Sequence, residues 1–76
     1  MQVRFFASLR DQIGGHHSLE DQGPYPCTVL ELWQRLCPDT AHKGLKVAVN
    51  QQYADWEHCI IQGDEEVAFF PPVTGG

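Results

Sequence analysis

Apolar and polar residues alternate at the start of the chain, with Val3, Phe5 and Ala7 on one side and Gln2, Arg4 and Phe6 on the other. A period of two predicts a strand over 2–7 whose first set faces the core. Ser8 to Ile13 reads as a short helical turn, stopped by Gly14-Gly15, after which the chain reverses into a second strand around 16–21. Gly23-Pro24 and Pro26 mark the loop that follows. At Thr28 the period changes: Thr28 and Glu31 form a capping-box pair, and Val29, Leu32, Trp33 and Leu36 fall on one helical stripe, widened by Leu30 and Cys37. Pro38 ends this helix, because it has no N–H and biases Cys37 away from helical angles. The simplest use of the stripe is to pack across a sheet.

Lys46 to Asn50 returns to strand alternation, with Val47 and Val49 sharing a face, and a polar turn follows through Asn50-Gln51-Gln52. Cys59-Ile60-Ile61 is a short apolar run, and Gly63-Asp64 marks another turn. The last strand is predicted over Glu66 to Phe70, with Val67 and Phe69 on one face and Glu66, Ala68 and Phe70 on the other. Strands around one principal helix predict an α+β domain, a mixed sheet packed on that helix. Phe6 and Phe70 each stand among polar neighbours. If the first and last strands pair, the two rings share one exposed patch that serves as an interface; the alternative is a loop covering both.

Composition narrows the functional classes. A chain of 76 residues holds one domain, near the size at which a core supplies only about 3–5 kcal/mol. Five Lys+Arg against ten Asp+Glu give a net charge of −5, which argues against nucleic acid and leaves a basic protein surface as the more natural partner. No apolar stretch is long enough to span a bilayer and no signal peptide is visible, so no membrane association and a cytoplasmic location are expected. Cys27, Cys37 and Cys59 are odd in number and widely spaced, and His16, His17, His42 and His58 match no metal spacing, so free buried thiols and surface or loop histidines are expected, with no metal. No phosphate-binding loop, dinucleotide fingerprint or nucleophile elbow is present. The acidic run Asp64, Glu65, Glu66 reads as a solvated turn.

What remains is the carboxyl terminus. Gly75 and Gly76 have no side chains, and Val73 to Gly76 extends roughly 13 Å beyond Pro72 at ~3.3 Å per residue, enough to carry the terminal carboxylate into another protein's active site. A frayed end is the alternative. A carboxylate reacts with a nucleophile only after activation, for example as a mixed anhydride with AMP made by a partner enzyme. It then accepts sulfur to become a thiocarboxylate, or an amine to become an amide.

The ending Gly63-Asp64-Glu65-Glu66-Val67-Ala68-Phe69-Phe70-Pro71-Pro72-Val73-Thr74-Gly75-Gly76, with Val3-Arg4-Phe5-Phe6-Ala7 and Val47-Ala48-Val49-Asn50, resembles the small subunit of molybdopterin synthase. The resemblance implies the ubiquitin-like β-grasp fold, with residues 1–72 as the domain and 73–76 as a flexible diglycine tail. It implies that an activating enzyme uses ATP to adenylate Gly76 and converts it to a thiocarboxylate, this chain binding no cofactor itself. The tail, with Gly75, then enters the large synthase subunit, where sulfur passes to cyclic pyranopterin monophosphate, in a heterotetramer of large and small subunits. The chain is then a sulfur donor to an active site in the large subunit. Phe6, Phe70 and Tyr53 fall at apolar docking positions, with Pro71, Pro72, Val73 and Thr74 completing the partner-binding segment. A ubiquitin-like modifier conjugated through Gly76 and a thiamine-pathway sulfur carrier are the alternatives.

Overall fold

Val3 and Phe5 are fully buried while Gln2 and Arg4 are exposed, so the opening alternation does form a strand, β1 (Gln2–Phe5). The computed structural model describes residues 1–72. After β1 come α1 (Leu9–Gln12), β2 (Ser18–Glu20), β3 (Cys27–Thr28), α2 (Val29–Leu36), β4 (Lys46–Val49), β5 (Gln52–Tyr53), β6 (Ile60–Ile61) and β7 (Val67–Phe70). Five strands form one sheet in the order β2-β1-β7-β4-β5, and β3 pairs with β6 in a second, two-stranded sheet. β1 runs parallel to β7, while β1–β2, β7–β4 and β4–β5 are antiparallel, giving the mixed sheet on one main helix.

Strands β1, β2, β4 and β7 are each shorter than the sequence expectation, and two of the shifts have a visible cause. Ala7 does not face the core: it is exposed at φ 55, a left-handed conformation that ends β1, and the next buried side chain is Leu9 of α1. Phe6 still donates its N–H to Phe69 O at 3.1 Å, prolonging the pairing by one residue. Glu66 precedes β7 instead of opening it, because its N–H and C=O are taken by a neighbouring turn. The Cys59-Ile60-Ile61 run supplies β6, whose partner β3 lies immediately before α2.

The helix forms as its sequence dictates. Thr28 Oγ1 accepts from Glu31 N at 3.0 Å, and Thr28 N donates to Glu31 Oε1 at 2.8 Å, satisfying donors that the first turn leaves unpaired. Val29, Leu32 and Trp33 are buried, Leu30 and Leu36 are partly so, and Cys37, also buried, closes the helix by donating its N–H to Trp33 O at 2.7 Å. Trp33 reaches the sheet with its ring 4.9 Å from Phe69 and 6.2 Å from Phe5, while its Nε1 donates to Thr40 O at 2.8 Å. Burial pushes the Cys37 thiol up to about 11, keeping it in the neutral form.

A buried polar cluster braces the loop between β2 and β3. Asp21 is 5% exposed, and its carboxylate accepts from Arg35 Nε and Nη2 at 3.1 and 2.8 Å, from Tyr25 OH at 2.7 Å and from Gly23 N at 3.1 Å. Arg35 Nη2 also donates to Cys27 Sγ at 3.3 Å, tying α2 to β3. Tyr25 lies against Gly63, where φ is +115 and an added Cβ would stand 2.8 Å from Tyr25 Cδ2, so only glycine suits that turn.

The Arg35 hydrogen bonds, opposed by burial, hold the Asp21 carboxyl below its ordinary range; this stabilisation is present at neutral pH and is lost as pH falls through the lowered value. Burial, and then the Asp21 hydrogen bond, push Tyr25 from 10.0 up to about 12, so its contribution is complete below pH 10.0 and is lost as pH rises toward that value. The unfolding free energy is therefore expected to fall across that alkaline interval, more steeply in the wild type than in Tyr25→Phe. Urea titrations at stepped pH check this, and parallel slopes for the two proteins would contradict it.

Candidate docking face and carboxyl-terminal root

With Val3, Phe5, Val47, Val67 and Phe69 turned toward α2, the alternate residues of the same strands make the opposite face of the sheet. The strand registers set Ser18 beside Arg4, Arg4 beside Ala68, Ala68 beside Ala48 and Ala48 beside Tyr53, one row across all five strands. Two alanines at the centre of that row leave its floor low. The result is a concavity of about 430 Å³, lined by Phe6, Ala48, Gln51, Tyr53, Glu66, Ala68 and Phe70.

Phe6 and Phe70 form one wall. Their rings stack with centroids 4.9 Å apart and planes 9° from parallel, and each is only partly buried. The Arg10 guanidinium carbon lies 5.9 Å from the Phe6 centroid, held there by donation from Nε to Phe5 O at 2.8 Å. The open patch is thus present, and no loop among the described residues seals it. Tyr53 forms the facing wall and is 76% exposed, the most exposed large apolar side chain among the described residues.

Tyr53 reaches this position through a hairpin that the sequence reading treated only as a polar turn. Asn50 and Gln51 sit at φ 51 and φ 68, and Gln52 pairs with Val49, so the two-residue turn returns the chain as β5. Asn50 N donates to Glu66 O at 2.8 Å and Glu66 N donates to Asn50 Oδ1 at 2.9 Å, which fastens the hairpin to the start of β7. An asparagine that tolerates left-handed angles was the available signal. The acidic turn is likewise more than solvated: the Glu65 carboxylate accepts from Gln62, Gly63 and Asp64 N–H groups at 2.8–3.2 Å, closing the turn that leads into β7. Burial raises the Glu65 pKa, but these N–H groups outweigh it and the net shift is downward.

β7 delivers the chain from this face to its end. Phe70 pairs with Lys46, Pro71 is half-buried and Pro72 is exposed beside Gly44, where an added Cβ would meet Pro72 Cγ at 3.4 Å. Phe6, Phe70, Tyr53, Pro71 and Pro72 therefore occupy one side and one end of the sheet. Val73, Thr74, Gly75 and Gly76, the remaining expected site residues, lie outside the described residues. The concavity is lined by rings, alanines, Gln51 and Glu66, with no paired acid and base; such a surface is suited to binding. Asp55 and His58, whose carboxylate and ring nitrogen lie 2.7 Å apart, do not line it. The hydrogen bond to Asp55 raises the exposed His58.

The sequence profile of the ThiS family matches residues 3–76. The chain belongs to that family. It is 37% identical over 83 aligned positions, spanning 100% of this chain and 99% of the relative, to the protein named molybdopterin synthase sulfur carrier subunit in Escherichia coli (strain K12). A protein of the same name from Haemophilus influenzae (strain ATCC 51907 / DSM 11121 / KW20 / Rd) is 41% identical over 81 positions, with the same coverage of 100% and 99%. Among solved structures, SAMP1 from Haloferax volcanii superposes with a TM-score of 0.73 at 22% identity, over 99% of this chain and 97% of that one. That likeness speaks for the fold, and the fold is the ubiquitin-like β-grasp expected from the sequence.

The two adjacent phenylalanines of β7 face opposite ways and should cost differently when truncated. Phe69→Ala empties a fully buried site and is expected to cost about 3–5 kcal/mol. Phe70→Ala removes half of a partly exposed stack and is expected to cost about 1 kcal/mol. Chemical denaturation of both variants measures the difference; equal losses would show that the Phe6–Phe70 stack is a second core and not an open face.

Proposed function

We propose that this chain is the sulfur-carrier subunit of a molybdopterin synthase, and that the carboxylate of Gly76 is its reactive group. The observation that carries the reading is end-to-end similarity, at 37% and 41% identity, to two proteins named as such carriers. The open aromatic wall at the root of the diglycine ending supports it, since a carrier needs a body that docks and an end that enters.

On this reading an activating enzyme binds ATP and joins AMP to the Gly76 carboxylate, expelling pyrophosphate. A sulfur nucleophile then expels AMP and leaves a thiocarboxylate. Docking through Phe6, Phe70, Tyr53, Pro71 and Pro72 places the segment Val73-Thr74-Gly75-Gly76 in the active site of the large subunit, the side-chain-free Gly75 passing the narrowest part. Sulfur bonds to cyclic pyranopterin monophosphate, water cleaves the acyl–sulfur bond so that the sulfur stays on the pterin, and the chain leaves with its carboxylate restored. A dithiolene needs two sulfurs, so spent carriers exchange or are recharged within a heterotetramer formed with the large subunit. The chain itself binds no cofactor and supplies no catalytic side chain; its location is cytoplasmic, and no described helix is long and apolar enough to cross a membrane.

Deletion of Gly76 is the test. In a mixture of large subunit, activating enzyme, ATP, sulfur donor and cyclic pyranopterin monophosphate, the full chain is expected to yield molybdopterin, and the truncated chain to yield none while still binding the large subunit. Product from the truncated chain would refute the role of Gly76. A ladder of lysine conjugates in cell extract that depends on Gly76, without molybdopterin formation, would favour a protein modifier; capture of a thiazole synthase in place of the pterin enzyme would favour the thiamine pathway.

A further inference from the structure

A second cavity, of about 320 Å³, adjoins the docking face and is lined by Arg4, Phe5, Phe6, Arg10, His17 and Ser18. The chain has only five Lys and Arg against ten Asp and Glu, so two of its five cations converge on one small hollow of an acidic protein. Neither is neutralised by the fold: the ion pairs among the described residues join the Met1 ammonium to Glu20, Arg35 to Asp21 and His58 to Asp55. Glu20, on the same strand as Ser18, is already committed to the Met1 ammonium and to Gln2 Nε2. Arg10 spends its Nε on Phe5 O, an anchor that leaves its terminal nitrogens directed by a fixed stem. Arg4 is held by register between Ser18 and Ala68.

Phe6 lines both this cavity and the concavity of the docking face, so a protein that covers the Phe6–Phe70 stack also covers the rim where Arg4 and Arg10 sit. Enclosing two guanidinium groups without an anion would cost more than the apolar contact beside them returns. Planar guanidinium groups match a carboxylate in two-point hydrogen bonding. We infer that the Arg4–Arg10–His17 hollow receives an Asp or Glu side chain of the large subunit, a charged anchor next to the aromatic wall. This inference rests on the carrier reading above and adds to it the polarity of the contact, which is opposite to what the net charge of −5 suggests.

The sign of the effect makes the test decisive. Binding of the full chain to the purified large subunit is measured by calorimetry at low and high salt for wild type, Arg4→Gln and Arg4→Lys. Arg4→Gln is expected to raise Kd about tenfold and to weaken the salt dependence, while Arg4→Lys, which keeps the charge and loses the two-point geometry, falls between Arg4→Gln and the wild type. If the partner instead presents a basic surface to the acidic chain, Arg4→Gln leaves Kd unchanged or lowers it, and the inference is overturned while the carrier reading stands. A wild-type chain that binds no large subunit at either salt overturns both. Melting curves accompany each variant; should Arg4→Gln be unstable, Arg4→Lys and the wild-type salt dependence decide, since binding that tightens with salt contradicts the charged anchor.

Discussion

The ring of Phe69 is packed among Trp33 at 4.9 Å, Trp56 at 5.3 Å and Phe5 at 5.8 Å, and the position of β7 follows from that packing. β7 is the central strand of the five, bonded in parallel to β1 and antiparallel to β4. Because side chains alternate along a strand, fixing Phe69 inside obliges Phe70 to point outside, one residue before the chain leaves the sheet. There Phe70 meets Phe6, which the same alternation places beyond Phe5 on β1. One buried ring thus sets the core contact with α2, the outward stack and the point from which the last residues depart. A register slip of one residue would exchange Phe69 with Phe70 and lose all three at once.

So small a domain also needs its loops held. Among the described residues the buried side-chain polar atoms are all satisfied, and further side-chain hydrogen bonds, several of them exposed, fasten the places where the chain turns. Asp21 joins the loop after β2 to Arg35 on α2, the Thr28–Glu31 box opens that helix, Glu65 closes the turn before β7 and Asn50 fastens the β4–β5 hairpin to Glu66. Each is a bond to a backbone donor or a paired ion, the form in which polar groups contribute to stability without leaving a partner unsatisfied. The uncovered face has few such restraints. Its walls are aromatic and its floor is alanine, a surface that gains by being covered.

Strong periodicity made much of this legible from the sequence. The capping box, the Val29–Leu36 stripe and the alternation of Val47, Val67 and Phe69 specify α2, β4 and β7 because each pattern buries a contiguous set of side chains. Ala7 misled because a small apolar residue fits an alternation without being needed by the core, and its left-handed angle ends the strand. β3 and β5, of two residues each, carry too little pattern to be seen; they exist because β6 and β4 offer them edges. The Phe6–Phe70 patch could be anticipated from alternation, but the low floor between it and Tyr53 depends on Ala48 and Ala68 coming into register, which no local signal encodes. Asp21 showed no sequence sign of burial, since its partners Tyr25 and Arg35 are brought to it only by the fold.

A body that binds and an end that reacts are separate demands, and the chain meets them at the two ends of one short segment. Phe70 belongs to the sheet, the proposed reading gives Gly76 the chemistry, and Pro71-Pro72 stand between them in the sequence with no donor N–H to continue the ladder. Membership of the ThiS family and full-length similarity to molybdopterin synthase sulfur carriers agree with that division of labour. The most direct test of the central claim is the intact mass of the full chain after incubation with its activating enzyme, ATP and a sulfur donor. The account predicts the gain expected when sulfur replaces one oxygen, located by fragmentation at Gly76; an unchanged mass under conditions that charge a control carrier would contradict it.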